Sequence, residues 1–319
     1  MKPIKLGFIL DPHISSTTPS GRYDDYWETI FGKLEAVISM GTTRHWDALV
    51  ISGDVYNTKQ MPFPKQNRLI ALFRDAPFDV FVIVGNHDIY YERLDTLKDT
   101  PLGNLLESGA VKLISQYGEF GGILTGASYS PDTAILPAPV VPIGFPRILV
   151  CHAYMGPKRA GFKGSAGGWL LYPEVIEAGY DIVVAGHDHT EYPTKVLENG
   201  CTVFRFGSLS RGTSHEHNLH REPKALEISC SASGWKHELL VVPHKPSEQV
   251  FAYTDIATKE EQRDMKHFIQ ELKALSTQEL SSGNMSELIT QLEIPEDVLS
   301  VINTYATDFG IILFHKESS

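Results

Sequence analysis

The sequence is poor in cysteine, in basic residues and in long apolar runs, and each shortage narrows what the chain can be. Its three cysteines, Cys151, Cys201 and Cys230, are odd in number, widely spaced and set in apolar surroundings. They offer no disulfide framework and read as buried reduced thiols, which favours a cytoplasmic protein over a secreted one. No apolar run approaches the ~20 residues that cross a bilayer, so a membrane is not among the expected partners. The first apolar run ends at Asp11, too soon for the core of a leader peptide, and no small-residue cleavage site follows it. Lysine and arginine number 28 against 39 aspartates and glutamates, a formal net charge of −11. That balance argues against a chain that coats nucleic acid by bulk electrostatics, although bound divalent cations would still make one site locally positive. There is no internal repeat and no low-complexity tract, and the 42% apolar and 21% charged residues are those of a soluble globular protein.

What the chain has instead is an alternation of short apolar runs with helix-like stretches, the pattern of an α/β fold. Strands are expected at Ile4–Leu10, Ala48–Ile51, Val80–Val84, Ile123–Ala127, Arg147–Val150 and Ile182–Ala185. Helical spacing runs over Arg22–Met40, with Trp27, Ile30, Phe31, Leu34 and Ile38 on one face, and over Lys65–Arg74. Thr202–Phe206, Ala225–Ser229 and Glu238–Val242 follow one another as strands without helices between them, so the sheet is expected to become antiparallel or mixed there. At Pro243 the character changes. Pro243, Pro246 and Ser247 read as a linker, giving a domain over 1–243 and a small α+β cap over 244–319. The cap is read as helices Lys259–Leu275, Met285–Leu292 and Pro295–Tyr305 and a strand Ile311–Phe314.

Chemistry shows where the apolar runs stop. They end in Asp11-Pro12-His13, Ser52-Gly53-Asp54, Gly85-Asn86-His87-Asp88, Cys151-His152 and Gly186-His187-Asp188-His189. Ligands of open α/β sheets bind beyond the carboxyl ends of the strands, so these residues are expected to converge. Glycine at such an ending permits a sharp turn that aims the next side chain over the sheet. Two aspartates, an asparagine and four histidines make a mixed oxygen and nitrogen set suited to manganese, iron or zinc rather than calcium. Seven donors exceed one tetrahedral zinc and suit two ions that share a carboxylate, the arrangement that activates a water and clamps a phosphoryl group. No cysteine joins the set, which speaks against a structural zinc.

The ordered series Asp-x-His, Gly-Asp, Gly-Asn-His-Asp, a lone His after a strand, and Gly-His-x-His resembles the calcineurin-like metallophosphoesterase superfamily over residues 11–189. The resemblance implies a β-sandwich of mixed sheets flanked by helices. It also implies two divalent ions, with manganese the expected metal. Asp11, His13 and His189 would hold one ion, Asn86, His152 and His187 the other, with Asp54 bridging. His87 would act as acid or electrostatic clamp at the leaving oxygen, with Asp88 orienting it. Gly53-Asp54-Val55-Tyr56-Asn57 and Gly207-Ser208-Leu209-Ser210-Arg211 are further similar to SbcD-type DNA repair nucleases. That branch implies DNA as substrate, an SbcC-type ATPase as partner and a homodimer as an arrangement to test. Archaeal and eukaryotic members carry a histidine where this chain has Asn57, so no second catalytic histidine carries over.

Simpler readings stand beside these. His45, His244, His267 and His315 read as surface or partly buried side chains. His215, His217 and His220 have metal-like spacing but lie in a polar stretch, so a solvated loop is preferred to substrate contact or a third metal. Asp188 is read as a turn residue. The stretch Gly156–Gly164 with Gly167-Gly168-Trp169 joins basic to aromatic side chains, which suits a mobile surface loop or a nucleic-acid backbone with an unstacked base. Lys259–Leu275 is an amphipathic helix for its own domain or for a partner. A metal-dependent DNA nuclease, a small-molecule phosphatase or cyclic-nucleotide phosphodiesterase, and a scaffold without chemistry all remain open. The complete donor set disfavours the scaffold.

Overall fold

In the computed structural model, the residues described are 2–114, 118–131, 136, 144–159, 168–214 and 216–251. The chain divides into one compact unit over Met1–Phe251 and a second over Ala252–Ser319. The expected cap helices and final strand therefore lie outside the described residues. The boundary falls at Phe251 rather than at Pro243, because the intervening stretch is tied to the first unit. Val250 and Phe251 are fully buried, and the Tyr23 amide donates to the Val250 carbonyl at 3.2 Å.

The first half of the unit runs β1 (Ile4–Ile9), α1 (Tyr26–Arg44), β2 (Ala48–Ile51), α2 (Phe63–Arg74), β3 (Asp79–Val82), α3 (Pro101–Glu107) and β4 (Lys112–Leu113). The second half runs β5 (Leu124–Ala127), β6 (Ile148–His152), β7 (Tyr154–Gly156), β8 (Trp169–Leu171), α4 (Tyr172–Ala178), β9 (Ile182–Gly186), β10 (Lys195–Val196), β11 (Thr202–Phe204), α5 (Glu216–His220), β12 (Lys224–Ser231) and β13 (Gly234–Val241). A six-stranded sheet has the order β13-β12-β1-β2-β3-β4, and a five-stranded sheet the order β10-β11-β9-β6-β5. β1 to β4 are parallel, whereas β12 runs antiparallel to β1 and β13 antiparallel to β12. In the second sheet β5, β6, β9 and β11 are parallel and β10 is antiparallel. Both sheets are mixed, and helices flank them.

Alternation along the strands builds the layers. Leu6, Phe8 and Leu10 of the β1 run face Ile148, Val150, Ile182 and Val184 in a core between the sheets. The intervening residues Ile9, Leu49 and Ile51 turn the other way onto Trp27, Ile30, Leu34 and Val37 of α1. Leu149, Cys151 and Val183 likewise turn onto Val175 of α4. Strands buried on both faces explain why the sequence shows continuous apolar runs. All three cysteines are buried and free. No helix among the described residues is long and apolar enough to cross a membrane.

Candidate metal centre

Each donor sits just past a strand or at its last residue, and the chain is bent there to aim it. Asp11, His13, Asp54 and His187 adopt φ of 43°, 46°, 46° and 85°. Left-handed backbone costs a non-glycine residue about 1–3 kcal/mol and persists only where the surroundings hold it. The holding groups are visible. The Tyr26 hydroxyl donates to the His13 carbonyl at 3.0 Å, the His13 amide to the Asp54 carbonyl at 3.0 Å, and the Leu209 amide to the Leu10 carbonyl at 2.6 Å. Gly53, at φ 88°, supplies the turn freedom expected of it. Gly85 is needed for room instead, since a Cβ there would lie 2.1 Å from Asp54 Oδ1.

The seven expected donors lie together. Asp54 Oδ2 stands between two imidazoles, 3.4 Å from His13 Nε2 and 3.3 Å from His152 Nε2. On one side His13 Nε2 is 2.7 Å from His189 Nε2. On the other, His152 Nε2 is 3.3 Å from Asn86 Oδ1, and the His152 and His187 rings are 4.9 Å apart. Asp11 lies behind them, accepting the His187 amide at 3.0 Å and standing 3.4 Å from His152 Nδ1. His152 Nδ1 is 2.7 Å from the Ser52 carbonyl. A carbonyl only accepts, so Nδ1 carries a proton, which leaves Nε2 as the atom that would ligate an ion, as in ligating histidines generally.

Electrostatics shows what the donors require. Burial, reinforced by Asp54, pushes Asp11 up to about 7, although His152 opposes it. Burial would raise Asp54 too, but His152, His13 and His87 hold it well below the usual carboxylate range. Burial drives His13 well down, His187 to about 3 and His189 to about 4, so all three present neutral imidazoles. His152 is lowered by burial but raised more by Asp54 and Asp11, to about 9. No lysine or arginine side chain hydrogen-bonds Asp11 or Asp54 among the described residues. Two buried carboxylates share this cavity with three neutral imidazoles and with His152, on which they hold a proton, and divalent cations would take the place of that proton and satisfy the donors. The residues present therefore fit a pair of such ions.

Asp88 departs from expectation. Its carboxylate accepts the amides of Gly85, Tyr56 and Val55 at 2.9, 3.0 and 3.2 Å, which ties the Asn86 turn to the Asp54 turn. It does not orient His87. That task falls to the Asn57 carbonyl, 3.1 Å from His87 Nδ1, while the His87 amide donates to Asp54 Oδ1 at 2.8 Å. His87 also lies with His13 and Asp54 within the span of one ion, so geometry alone lets it ligate. Asp188 accepts the Tyr192 hydroxyl at 2.9 Å and the Thr190 amide at 3.1 Å, the contacts of a turn residue. Residues Glu216–His220 form a short helix rather than the expected loop, and His215 lies outside the described residues. Asn218 and Arg221 are buried, and His220 is exposed.

A family comparison now places the fold. The profile of the calcineurin-like phosphoesterases matches residues 4–191. The chain belongs to that family. As a calcineurin-like phosphoesterase it is a metal-dependent hydrolase of phosphate esters, and its family typically binds two divalent metals. A comparison with the curated proteins finds no match. Among solved structures, it is similar to an archaeal phosphodiesterase, at 14% identity over 74% of this chain and 100% of that one, TM-score 0.38. It is also similar to a dimetal phosphatase from Danio rerio, at 11% identity over 75% and 99%, TM-score 0.44. A third is a 5′-nucleotidase precursor from Thermus thermophilus, at 15% identity over 85% and 60%, TM-score 0.40. Scores of this size transfer no detail of site or substrate.

Sequence reasoning missed the residues that hold the centre without donating to it. Tyr26, Tyr129 and Tyr154 carried no motif, yet the Tyr154 ring lies 4.1 Å and the Tyr129 ring 5.5 Å from the His187 ring. Arg221 gave no signal except its place after the histidine-rich stretch.

Proposed function

We propose that this phosphoesterase is a phosphodiesterase acting on DNA, with manganese as its metal and an SbcC-type ATPase as its partner. The observation that carries the two-metal hydrolase reading is Asp54, buried and within 3.4 Å of imidazoles on both sides. The ions would be held by Asp11, His13, Asp54, Asn86, His152, His187 and His189. The chemistry such a pair supplies is acidification of a water and neutralisation of phosphoryl charge. His87 does the rest through its own protonation. Its Nδ1–H is committed to the Asn57 carbonyl, which leaves Nε2 to give a proton to the departing ester oxygen. Support for a nucleic-acid substrate comes from beside His187. Tyr154 packs on that ring and on Trp169, 5.4 Å away, and the chain leads directly into exposed Lys158 and Arg159. Aromatic faces next to cations suit a phosphate backbone with an unstacked base.

The test is to give the full chain manganese and to assay linear DNA, a bis-aryl phosphate and a mono-aryl phosphate in parallel. Cleavage of DNA and of the diester is expected. Hydrolysis of the monoester alone would make the protein a small-molecule phosphatase instead.

A further inference from the structure

The loop 207–211, between β11 and α5, has two working sides. On one side its amides reach the metal centre: Ser208 donates to the His189 carbonyl at 3.3 Å and Leu209 to the Leu10 carbonyl at 2.6 Å. Gly207, at φ 79°, lies so close that a Cβ there would stand 3.1 Å from the same His189 carbonyl. On the other side four consecutive carbonyls are each taken by a buried cation. Arg221 donates to Ser208 O at 2.5 Å and also to Ser210 O, Lys33 donates to Leu209 O at 2.9 Å, and Arg22 donates to Arg211 O. Arg221 adds a bond to Ser208 Oγ at 2.7 Å and is itself held by Asn218 Oδ1 at 3.0 Å.

Such a cluster is a poor way to stabilise a fold. Arg22, Lys33, Arg211 and Arg221 are at most 8% exposed, and Asp24 is the carboxylate that pairs with one of them, Arg22. Burial drives Lys33 well below its usual range and Arg221 down to about 10. Apolar side chains of similar volume commonly stabilise as well as a buried ionic group or better. What they cannot do is fix the positions of four backbone carbonyls. Through the amides on its far face, the fixed loop in turn fixes the turns bearing Asp11 and His189, where Asp11 and His13 stand on left-handed backbone.

We propose that Arg221 and Lys33 are positioning residues, which clamp loop 207–211 and thereby set the affinity of the ion held by Asp11, His13 and His189. The proposal rests on the two-ion reading of the centre. The bonds of both residues go to the loop and to Asn218, and the charge of Arg221, felt by Asp11 and His189, is retained in Arg221→Lys.

Equilibrium dialysis of the full chain against graded manganese, read as ions bound per chain, tests it alongside melting of the metal-free protein. Arg221→Lys keeps the charge but loses the planar fork that serves several acceptors, and Lys33→Met removes the donor to Leu209. In each variant one ion is expected to bind about 10–100-fold more weakly, the usual effect of losing a group that orients metal ligands. The other ion should bind within about twofold of wild type. Unchanged binding of both ions would overturn the proposal. Parallel weakening of both, in step with the metal-free melting temperature, would also overturn it by showing a merely structural role. If Arg221→Lys and Lys33→Met do not fold, Tyr26→Phe decides. It removes one hydroxyl, which ties the His13 carbonyl to Ser210 of the clamped loop, and the same one-ion loss is expected against the same overturning results. A wild-type chain that binds no manganese would overturn the two-ion reading itself. That failure shows in the parent, whereas failure of the clamp shows only in the variants.

Discussion

At the scale of single residues, His87 and Asp88 are neighbours in sequence with separate duties. The 3-10 turn over Asn86–Asp88 sends the two side chains apart. Asp88 goes inward to three backbone amides, whereas His87 stays beside His13, with ring centroids 4.9 Å apart. His87→Ala should lower turnover by about 10²–10⁴-fold, the usual worth of acid–base assistance, with two ions still bound. Loss of an ion from that variant would instead make His87 a ligand. Asp88→Asn should leave at least one buried amide without its acceptor and cost about 1–3 kcal/mol, readable as a lower denaturant midpoint with metal uptake retained. The donors were legible in the sequence because each follows an apolar run that had to be a strand. The duty of Asp88 was not legible, since its partners Val55 and Tyr56 lie more than thirty positions upstream and nothing in a local motif names them.

At the scale of elements, periodicity located what was long and missed what was short. Helix α1 was expected over Arg22–Met40 and occupies Tyr26–Arg44, because Asp25 caps it, accepting the Glu28 amide at 3.2 Å. Arg22 is held outside the helix by Asp24 and Phe251. Strands β4 and β10 have two residues each and helices α3 and α4 seven each, too few to establish a period. β13 begins at Gly234 rather than at the expected Glu238, since its first residues are largely exposed and polar and carry no apolar alternation. Two predictions belong to α1. Asp25→Ala should cost about 1 kcal/mol in unfolding free energy, as loss of a helix cap does. The second is a pH dependence at Asp24. Burial raises its pKa, but hydrogen bonds from Arg22 and Thr29 more than offset this and leave it below the ordinary carboxylate value. A carboxyl depressed in the folded state adds stability that is complete above its unfolded value, about pH 4, and is lost as pH falls through the folded value. Melting temperatures from pH 7 to pH 3 should therefore decline less steeply in Asp24→Asn than in the wild type. Parallel curves would show that Asp24 does not contribute to the acid limb.

At the scale of the whole molecule, the α/β alternation followed from apolar runs and their order and the sandwich from the family resemblance, but the end of the unit followed from neither. Pro243 and Pro246 look like a linker, yet the chain beyond Pro243 returns to the buried cations rather than leaving the surface. Arg211 donates to Ser247 Oγ at 2.8 Å and to the Lys245 carbonyl. The Arg22 and Arg211 guanidinium groups lie 5.3 and 5.8 Å from the Phe251 ring, which is 1% exposed. Residues 244–251 thus close the underside of the cluster that clamps loop 207–211, and prolines in the stretch set its path without freeing it. Two truncations separate these roles. A chain ending at residue 251 keeps every described contact, so it should melt close to the first transition of the full protein and still hydrolyse a bis-aryl phosphate. One ending at residue 243 loses Phe251 from a packed site, a deletion that in a core costs about 3–5 kcal/mol, and it also strips Arg211 of two acceptors. It should melt well below the longer truncation and bind manganese less tightly. Equal melting temperatures for the two would show that residues 244–251 are dispensable to the unit. On duplex DNA the expectation differs. If residues 252–319 serve the proposed ATPase partner or the DNA, the chain ending at 251 should lose duplex degradation while its action on the small diester persists. Unchanged duplex degradation by that truncation would remove residues 252–319 from the reaction and leave the metal centre, with Tyr154 and the basic residues after it, to recognise the substrate alone.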